Sequence, residues 1–307
     1  MAAERAVAMA ARARTIEELA AVGQRFVSAE GRRRLQAFRP DPSDVIIAPF
    51  AKCGTTWMQQ IVHGLRSGGS MDFDEITEVV PWLELAHDMG VDLDAPQRAR
   101  PRAFKSHLGW DEIPKGARYI VVLRDPVDAM LSLHRFFEGW WFEPGHIGLA
   151  DFARYYLGRT NNYWGHAASW WARRGCPDLL LLSYEQMRRD LPGAVRAVAD
   201  FLGIDDPRAR AIATAQAEFG FMKRHARQFD DHLVRAARDA AIGLPPGGVA
   251  TKIDRGQSGA ELPAALRALL DERWRQTLGA AFGLADYAAL AAALEAALSP
   301  AGGRASR

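Results

Sequence analysis

Basic and hydroxyl side chains come together in one short stretch of the first quarter of the chain. Lys52 lies in a turn at 49–54, and a helix that opens on Thr55 and Thr56 follows directly. The free N–H groups and the positive dipole end of that helix face the turn, while the lysine and the hydroxyls add further donors. This combination predicts a binding site for a phosphate or a similar anion.

Three more polar residues stand in comparable positions. His107, Arg124 and Tyr184 each fall at the end of a short candidate strand. Ligands of parallel sheets bind outside the carboxyl ends of the strands. We therefore expect these three side chains to converge with Lys52 on one rim of a sheet, although they lie far apart in the sequence.

Apolar patterning predicts the elements that position these residues. Short apolar runs predict strands at 45–48, 102–107, 119–123 and 179–182. Helical spacing predicts helices near 55–65, 127–137, 191–202, 209–221 and 261–282, and one or two helices at 151–171. The alternation indicates an α/β fold with three layers, a central, mostly parallel sheet flanked by helices. We interpret 1–307 as one domain, with a helical N-terminal extension at 1–34 and a disordered tail at 299–307.

Composition narrows the classes of function. With 49% hydrophobic residues the chain can bury a large core, and its net charge of +2 gives no reason to expect nucleic acid as a partner. We expect no membrane span, because no apolar run approaches about 20 residues. Cys53 and Cys176 form neither a disulfide framework nor a zinc pattern, which predicts a reducing, cytoplasmic location. The oligomeric state stays open.

The turn at 49–54 differs from the standard phosphate-binding loop of nucleotide triphosphatases. That motif places its lysine after the second glycine, whereas Lys52 precedes Gly54 and the turn has no earlier glycine. A kinase would also need a carboxylate for magnesium at a strand end, and Asp125, followed by Pro126, is the only obvious candidate. We therefore expect an anion bound without a metal.

Cys53 permits a second interpretation, as a thiol nucleophile at a helix N-terminus. Cysteine phosphatases need an arginine six residues after the cysteine, and that position holds Gln59. We instead expect Cys53 to be a small residue packed in the turn that lends its N–H group to the anion.

Six motifs, in order, resemble those of cytosolic-type sulfotransferases. The stretch 48–57, A-P-F-A-K-C-G-T-T-W, resembles their 5′-phosphosulfate loop, and R-D-P-x-D-x-x-x-S at 124–132 resembles their 3′-phosphate motif. Segments similar to the other motifs lie at 81–84, 102–108, 163–171 and 184–187. The resemblance spans roughly 35–282 and implies a P-loop-like fold. The chain is identified as a member of this family, and we expect a bacterial one.

The resemblance implies 3′-phosphoadenosine 5′-phosphosulfate (PAPS) as co-substrate and the bisphosphate PAP as product. The residues it assigns to the nucleotide are Lys52, Cys53, Gly54, Thr55, Thr56, Trp57, Arg124, Ser132, Tyr184, Phe219, Met222, Arg255 and Gly256. Lys52 would neutralise charge on the oxygen that sulfuryl leaves. Trp57 and Phe219 would flank adenine, and Arg124 with Ser132 would bind the 3′-phosphate.

The resemblance also implies the catalytic set and the acceptor site. The catalytic residues would be His107, Lys52, Lys105 and Ser132, and the acceptor-binding residues Trp82, Lys105, His107 and Trp140. His107 would take the proton of an acceptor hydroxyl during in-line transfer, because an imidazole titrates near neutral pH. Lys105 would help to hold the sulfuryl oxygens. The expected acceptor is an apolar small molecule with a hydroxyl, or an amine as the less favoured option.

One segment departs from the family pattern. The loop at 252–259 offers a single cation, Arg255, where two are usual, although Lys252 could help. This departure leaves a non-catalytic nucleotide-binding protein open as an alternative, beside a P-loop-like kinase. The sequence does not identify the acceptor.

Overall fold

The central sheet has four strands that all run parallel. The computed structural model describes residues 10–249, 252 and 262–298. Its strands are β1 (Val45–Ile47), β2 (Ala103–Lys105), β3 (Arg118–Leu123) and β4 (Leu179–Ser183), in the spatial order β2-β1-β3-β4. The predicted parallel α/β sheet is confirmed, and the carboxyl ends of all four strands point to one edge.

Each face of the sheet is covered by its own apolar core. Along β3, Tyr119 and Val121 face one core, whereas Ile120 and Val122 face the other. This alternation follows from the pleat of a strand, which sends successive side chains to opposite faces. Both faces are apolar because helices cover both, as the parallel pairing requires. The predicted three-layer arrangement is therefore present.

Fourteen helices are present in the described residues. In chain order they are α1 (Ile16–Arg25), α2 (Ala29–Ala37), α3 (Thr55–Ser67), α4 (Pro126–Phe137), α5 (Leu149–Gly158), α6 (Tyr163–Trp171), α7 (Tyr184–Arg189), α8 (Leu191–Leu202), α9 (Pro207–Ala217), α10 (Phe219–Arg224), α11 (His232–Ile242), α12 (Ala264–Trp274), α13 (Ala280–Phe282) and α14 (Tyr287–Leu298). Helices α3, α8 and α9 supply one core, and α1, α4, α5, α6, α12 and α14 contribute to the other.

Two predicted helices are interrupted. The helix expected at 209–221 breaks at Glu218, whose extended backbone separates α9 from α10. The helix expected at 261–282 begins at Ala264 and contains a π-helical turn at Arg275–Gly279 before α13. Such turns shift the hydrogen-bond ladder by one residue, which apolar periodicity alone does not reveal.

The ends of the chain build structure that the sequence patterns only partly predicted. Helix α1 begins at a capping box between Thr15 and Glu18, and α2 follows at Ala29–Ala37. Helix α14 was not predicted, yet Leu290 and Leu294 are buried in the core. Within the described residues no single helix is long and apolar enough to cross a membrane. One bent pair, Ala264–Phe282 with Tyr287–Ala297, passes on length and composition alone.

Candidate active site

A cavity of about 1400 Å³ opens at the carboxyl edge of the sheet. Most of the predicted site residues line it: Lys52, Gly54, Thr55, Thr56, Trp57, Trp82, Lys105, His107, Arg124, Ser132, Trp140, Tyr184, Phe219 and Met222. These residues come from loops after all four strands and from the helices around them. The predicted convergence on one rim therefore holds.

The turn before α3 is shaped to receive an anion. Lys52 and Gly54 both have positive φ angles, 65° and 91°, a conformation that is unusual for a lysine and persists where the surroundings impose it. A Cβ atom on Gly54 would lie 3.0 Å from Cδ2 of Tyr184, so no larger residue fits there. Gly54 also gives α3 no side-chain cap, which leaves the first-turn N–H groups to a ligand.

Unpartnered polar atoms in the cavity wall fit the same conclusion. The hydroxyl oxygen of Thr55 and Nε of Arg124 are buried and have no hydrogen-bond partner among the described residues. Buried polar groups are almost always paired in native proteins. The pair therefore marks positions where a bound anion would complete the hydrogen bonding.

Arg124 links the Lys52 turn to the end of β3. Its Nη1 donates a 2.9 Å hydrogen bond to the carbonyl oxygen of Lys52, and its guanidinium lies 4.4 Å from the ring centre of Tyr184. Asp128 is only a distant partner, 3.9 Å from Nη2. Most of the guanidinium is thus held in the cavity wall by neutral groups, and its charge remains available to an anion.

His107 has one ring nitrogen fixed and the other free. Its Nδ1 lies 2.8 Å from the carbonyl oxygen of Pro49, and because a carbonyl only accepts, Nδ1 must carry the proton. No hydrogen bond among the described residues uses Nε2, which therefore remains a proton acceptor. Burial, and then the charge of Lys105, lower the pKa of His107 well below its ordinary value. The ring is neutral near pH 7, as a general base must be.

Comparison with known proteins decides the family. A family model described as a sulfotransferase domain matches residues 42–239. The chain belongs to the sulfotransferase family. Sulfotransferase 1B1 of Mus musculus is 29% identical over 227 residues, which cover 67% of this chain and 74% of that relative. Luciferin sulfotransferase of Photinus pyralis is 26% identical over 226 residues, which cover 61% of this chain and 57% of that relative.

Solved structures share the fold of this sulfotransferase. Retinol dehydratase in complex with androsterone and the inactive cofactor PAP matches with a TM-score of 0.65 at 18% identity, over 81% of this chain and 84% of that one. Mouse sulfotransferase SULT7A1 complexed with PAP matches with a TM-score of 0.62 at 18% identity, over 88% and 94% of the two chains. The predicted P-loop-like α/β fold is confirmed by these matches.

Aromatic rings form the wall of the sulfotransferase cavity beyond His107. Trp82 packs edge-on to His107 with 5.1 Å between ring centres, and its other neighbour is the ammonium of Lys105, 3.5 Å from the Trp82 ring centre. Trp140 donates a 2.8 Å hydrogen bond from Nε1 to Asp239, which fixes its ring. Phe26 packs against both tryptophans. The result is a largely aromatic wall, with Lys105 and His107 next to Trp82.

Three residues that line the sulfotransferase cavity were not among the predicted site residues. They are Glu84, Asp231 and Lys252. Glu84 accepts a 2.7 Å hydrogen bond from the backbone N–H of His107 and so fixes the loop that carries the base. Its place in the motif at 81–84 was a usable signal. Asp231 and Lys252 form a buried ion pair in the cavity wall. No local pattern marks Asp231, and Lys252 was considered only as a helper.

One predicted role in the sulfotransferase site is wrong. The backbone N–H of Cys53 donates to the carbonyl oxygen of Phe50 at 3.1 Å and is not available to an anion. Cys53 is also absent from the described lining of the cavity, and burial raises the pKa of its thiol to about 12. The same facts oppose a thiolate nucleophile. Asp125, the candidate for magnesium, caps α4 by accepting from the N–H groups of Val127 and Asp128.

Two further groups of residues are the predicted nucleotide contacts Arg255 and Gly256 and the cluster around His232. Arg255 and Gly256, predicted to contact the nucleotide, lie outside the described residues. His232, which showed no metal-ligand spacing in the sequence, lies beside Glu75 and Asp230 in a group that could hold a metal ion. Its ring nitrogens contact Asp74 at 2.9 Å and Asp230 at 2.7 Å. We interpret this group as a hydrogen-bonded charge cluster, since both nitrogens already have carboxylate partners.

Proposed function

We propose that this sulfotransferase transfers the sulfuryl group of PAPS to a hydroxyl of an apolar small molecule, a reaction of the EC 2.8.2 type. The observation that carries the proposal is that the Lys52 turn and the free Nε2 of His107 open onto one cavity. An anion cradle beside a neutral base suits the transfer of a charged group to a hydroxyl.

The residues that would hold the donor fall into three groups. The first turn of α3 and Lys52 would bind the 5′-phosphate. Arg124, with the hydroxyl of Ser132 from α4, would bind the 3′-phosphate. Trp57 would present its indole ring to adenine, because its Nε1 already donates a 2.8 Å hydrogen bond to Ala217 and this bond fixes the ring. Phe219, exposed at 37%, offers a second aromatic surface at the cavity mouth.

The chain's own residues supply a base and cations. When bound, PAPS supplies a sulfuryl group whose bond to the phosphate oxygen breaks with both electrons staying on that oxygen, as sulfur bonds to the acceptor oxygen. Nε2 of His107 takes the acceptor proton. The carbonyl oxygen of Pro49 holds the imidazole ring through Nδ1, and Glu84 holds the loop through the backbone N–H of His107. Lys52 offsets the negative charge left on the phosphate oxygen. Lys105, whose ammonium lies against the Trp82 ring, would help to hold the sulfuryl oxygens.

The aromatic chamber supports an apolar acceptor. Trp82, Trp140 and Phe26 bury a flat or hydrophobic molecule favourably, since apolar area removed from water contributes about 25 cal/mol per Å². Trp140 is fixed by Asp239, so the chamber is formed before an acceptor arrives. Both cysteines are free thiols, as is usual in a reducing compartment. We therefore also propose that the reaction takes place in the cytoplasm.

Transfer of labelled sulfate from PAPS to a panel of phenols, sterols and glycolipids tests the proposal. We expect transfer to at least one hydroxyl acceptor by the wild-type protein. His107→Ala should bind PAP within about twofold of wild type and lose at least a hundredfold in turnover, in the range of a removed general base. Unchanged turnover in His107→Ala, or no PAP binding by the wild-type protein, would refute it.

A further inference from the structure

Asp231 has an unusual conformation for its place in the fold. It immediately precedes α11, where an aspartate normally accepts a hydrogen bond from the first-turn N–H groups. Here it makes no such bond, and its backbone adopts a left-handed conformation with φ 60°. Only 2% of the residue is exposed, and it lines the cavity. The carboxylate has therefore turned from its own helix toward the site.

The partner of Asp231 is the ammonium group of Lys252. The two side chains form a close ion pair, and the Lys252 side chain is 8% exposed. Both residues line the same cavity as His107, Lys105 and Lys52. Burying two charges is unfavourable unless they are paired and used. A buried ion pair in the wall of this cavity therefore calls for a functional explanation.

Lysines are concentrated at this site. The chain has 39 lysines and arginines, of which only five are lysines, and all five lie within the described residues. Three of the five, Lys52, Lys105 and Lys252, line the cavity. Lysine carries a compact point charge, whereas arginine spreads its charge over a planar fork. The cavity thus gathers the residue type that can direct a single charge at one oxygen atom.

The three ammonium groups are close enough to affect one another. After burial, the charge of Lys252 is the main cause that lowers the pKa of Lys52 to about 7 and that of Lys105 to about 8. Mutual repulsion of this kind is relieved by a bound anion. The neighbouring acids are Asp231, Glu75 and Glu84. Burial raises the pKa of both glutamates, which favours their neutral forms, so Asp231 is the main counter-charge to the three ammonium groups.

We propose that Lys252 is a third cationic residue of the transfer centre and that Asp231 is the residue that positions it. The inference rests on the proposed function. Lys252 would contact the sulfuryl oxygens, and its charge would stabilise them while the sulfur–oxygen bond to the phosphate breaks and the acceptor proton passes to His107. Asp231 acts only through Lys252, by holding its ammonium at the end of the chamber that contains the base.

Binding measurements test the contact before any acceptor is known. We would measure the affinities of PAPS and PAP by calorimetry, without acceptor, for the wild-type protein and for Lys252→Met. Because PAP lacks the sulfuryl group, we expect Lys252→Met to weaken PAPS binding at least fivefold and to leave PAP binding within twofold. Lys115→Met, which changes a lysine outside the described lining of the cavity, is the matched control and should alter neither affinity.

Three outcomes separate the possibilities. Equal losses for both nucleotides would make Lys252 an anchor for the nucleotide and overturn the inference, as would no loss for either. A wild-type protein that binds neither nucleotide would refute the proposed function itself. Since Lys252→Met leaves the Asp231 carboxylate unpaired, the double variant Asp231→Asn/Lys252→Met repeats the test without a buried lone charge. It should show the same selective loss.

Chemical rescue gives a second test once an acceptor is found. Lys252→Cys should lower kcat at least tenfold, and aminoethylation of the new cysteine with bromoethylamine should restore at least fivefold of that loss. Wild-type protein treated in the same way controls for modification of Cys176, which is partly exposed. Asp231→Asn should lower kcat alone but have no further effect in Lys252→Met. Full modification without recovery, or additive losses in the double variant, would overturn the assignment.

Discussion

His107 gains its properties from neighbours in three segments of the chain. Pro49 sets the tautomer through Nδ1, Glu84 holds the backbone N–H, and Lys105 adds a positive charge that disfavours protonation of the ring. Lys105 is near in sequence, at the end of β2, but Pro49 and Glu84 are brought to His107 only by the fold. The imidazole is therefore neutral and aimed at the cavity only when the whole rim is assembled.

The pH dependence of kcat/KM should report these charges as a narrow bell. Transfer requires neutral His107, whose lowered pKa places the acidic limb below pH 6.5; activity falls as pH drops through that pKa and the ring is protonated. The proposed role of Lys52 also requires its charged form, and its pKa of about 7 places the alkaline limb near pH 7. Lys105→Met should move the acidic limb to higher pH, because the repelling charge is gone.

A kinetic profile in PAPS, taken between about pH 5 and pH 9 and extended to lower pH until activity falls, measures both limbs. In Lys105→Met, a shift in the pH of the acidic limb reports the lost charge, whereas a lower rate alone reports the loss of a contact. An acidic limb that stays in place in this variant would contradict the electrostatic account of His107.

The single residues that sequence predicted best are those whose role is local. Lys52, Gly54 and Thr55 follow from the order of strand, turn and helix, and the structure keeps all three in the cavity wall. The N–H group of Cys53 was misassigned because turn hydrogen bonding depends on φ and ψ, here the 3.1 Å bond to Phe50. Asp231 was missed because its partner is 21 residues away in the sequence and no strand or motif precedes it.

Helix α14 supports the backbone beside Arg124 from behind the cavity wall. The hydroxyl of Tyr287 lies 3.1 Å from the carbonyl oxygen of Leu123, the last residue of β3, and also contacts the buried carboxylate of Glu185. Glu185 in turn accepts a 3.4 Å hydrogen bond from the backbone N–H of Asp125. One helix beyond the matched family segment thus fixes the backbone next to Arg124.

Tyr287→Phe tests this brace. Removing the hydroxyl leaves the buried carboxylate of Glu185 short of a partner, which should lower the free energy of unfolding by about 1–3 kcal/mol. PAP affinity should fall several-fold as well, because the backbone beside Arg124 loses its support. Denaturant unfolding and calorimetry measure the two effects.

A double-mutant cycle with Glu185→Gln provides the control for Tyr287→Phe. If the brace acts through the carboxylate, the two substitutions together should cost clearly less than the sum of their separate effects. Additive effects would mean that Tyr287 only fills space in the core.

At the scale of elements, the strands were easier to predict than the helices. Strands β1, β3 and β4 are buried on both faces and are therefore mostly apolar runs, such as 119–123. The sequence of α14 is mostly alanine and leucine and shows little apolar periodicity, because alanine occurs on both its buried and its exposed faces. The break at Glu218 and the π-helical turn before α13 depend on packing against other helices, which a single window of sequence does not contain.

At the scale of the whole molecule, two separate parts of the chain line the cavity. The donor end is built by loops that follow the strands, within the matched segment 42–239. The far wall includes Gly23 and Phe26 from the N-terminal extension, which lies before that segment. Arg238 joins the extension to α11 by donating a 3.0 Å hydrogen bond to the carbonyl oxygen of Phe26. If the donor binds at the strand-end loops as proposed, donor binding and acceptor size are set by separable regions.

Gly23→Leu should change acceptor selectivity without changing donor binding. Gly23 lines the cavity, and a Cβ atom there would sit 3.5 Å from Trp141 and 3.7 Å from the hydroxyl of Tyr155, so a leucine fits at its base and fills space toward the chamber. The helix itself should gain about 0.8 kcal/mol, because glycine is a poor helix former. We expect the kcat/KM ratio of a large to a small acceptor to fall about tenfold, with PAP affinity unchanged. Gly175→Leu, in a turn where an added Cβ meets nothing within 4 Å, is the matched control. An equal loss for both acceptors would show that Gly23 does not bound the acceptor space.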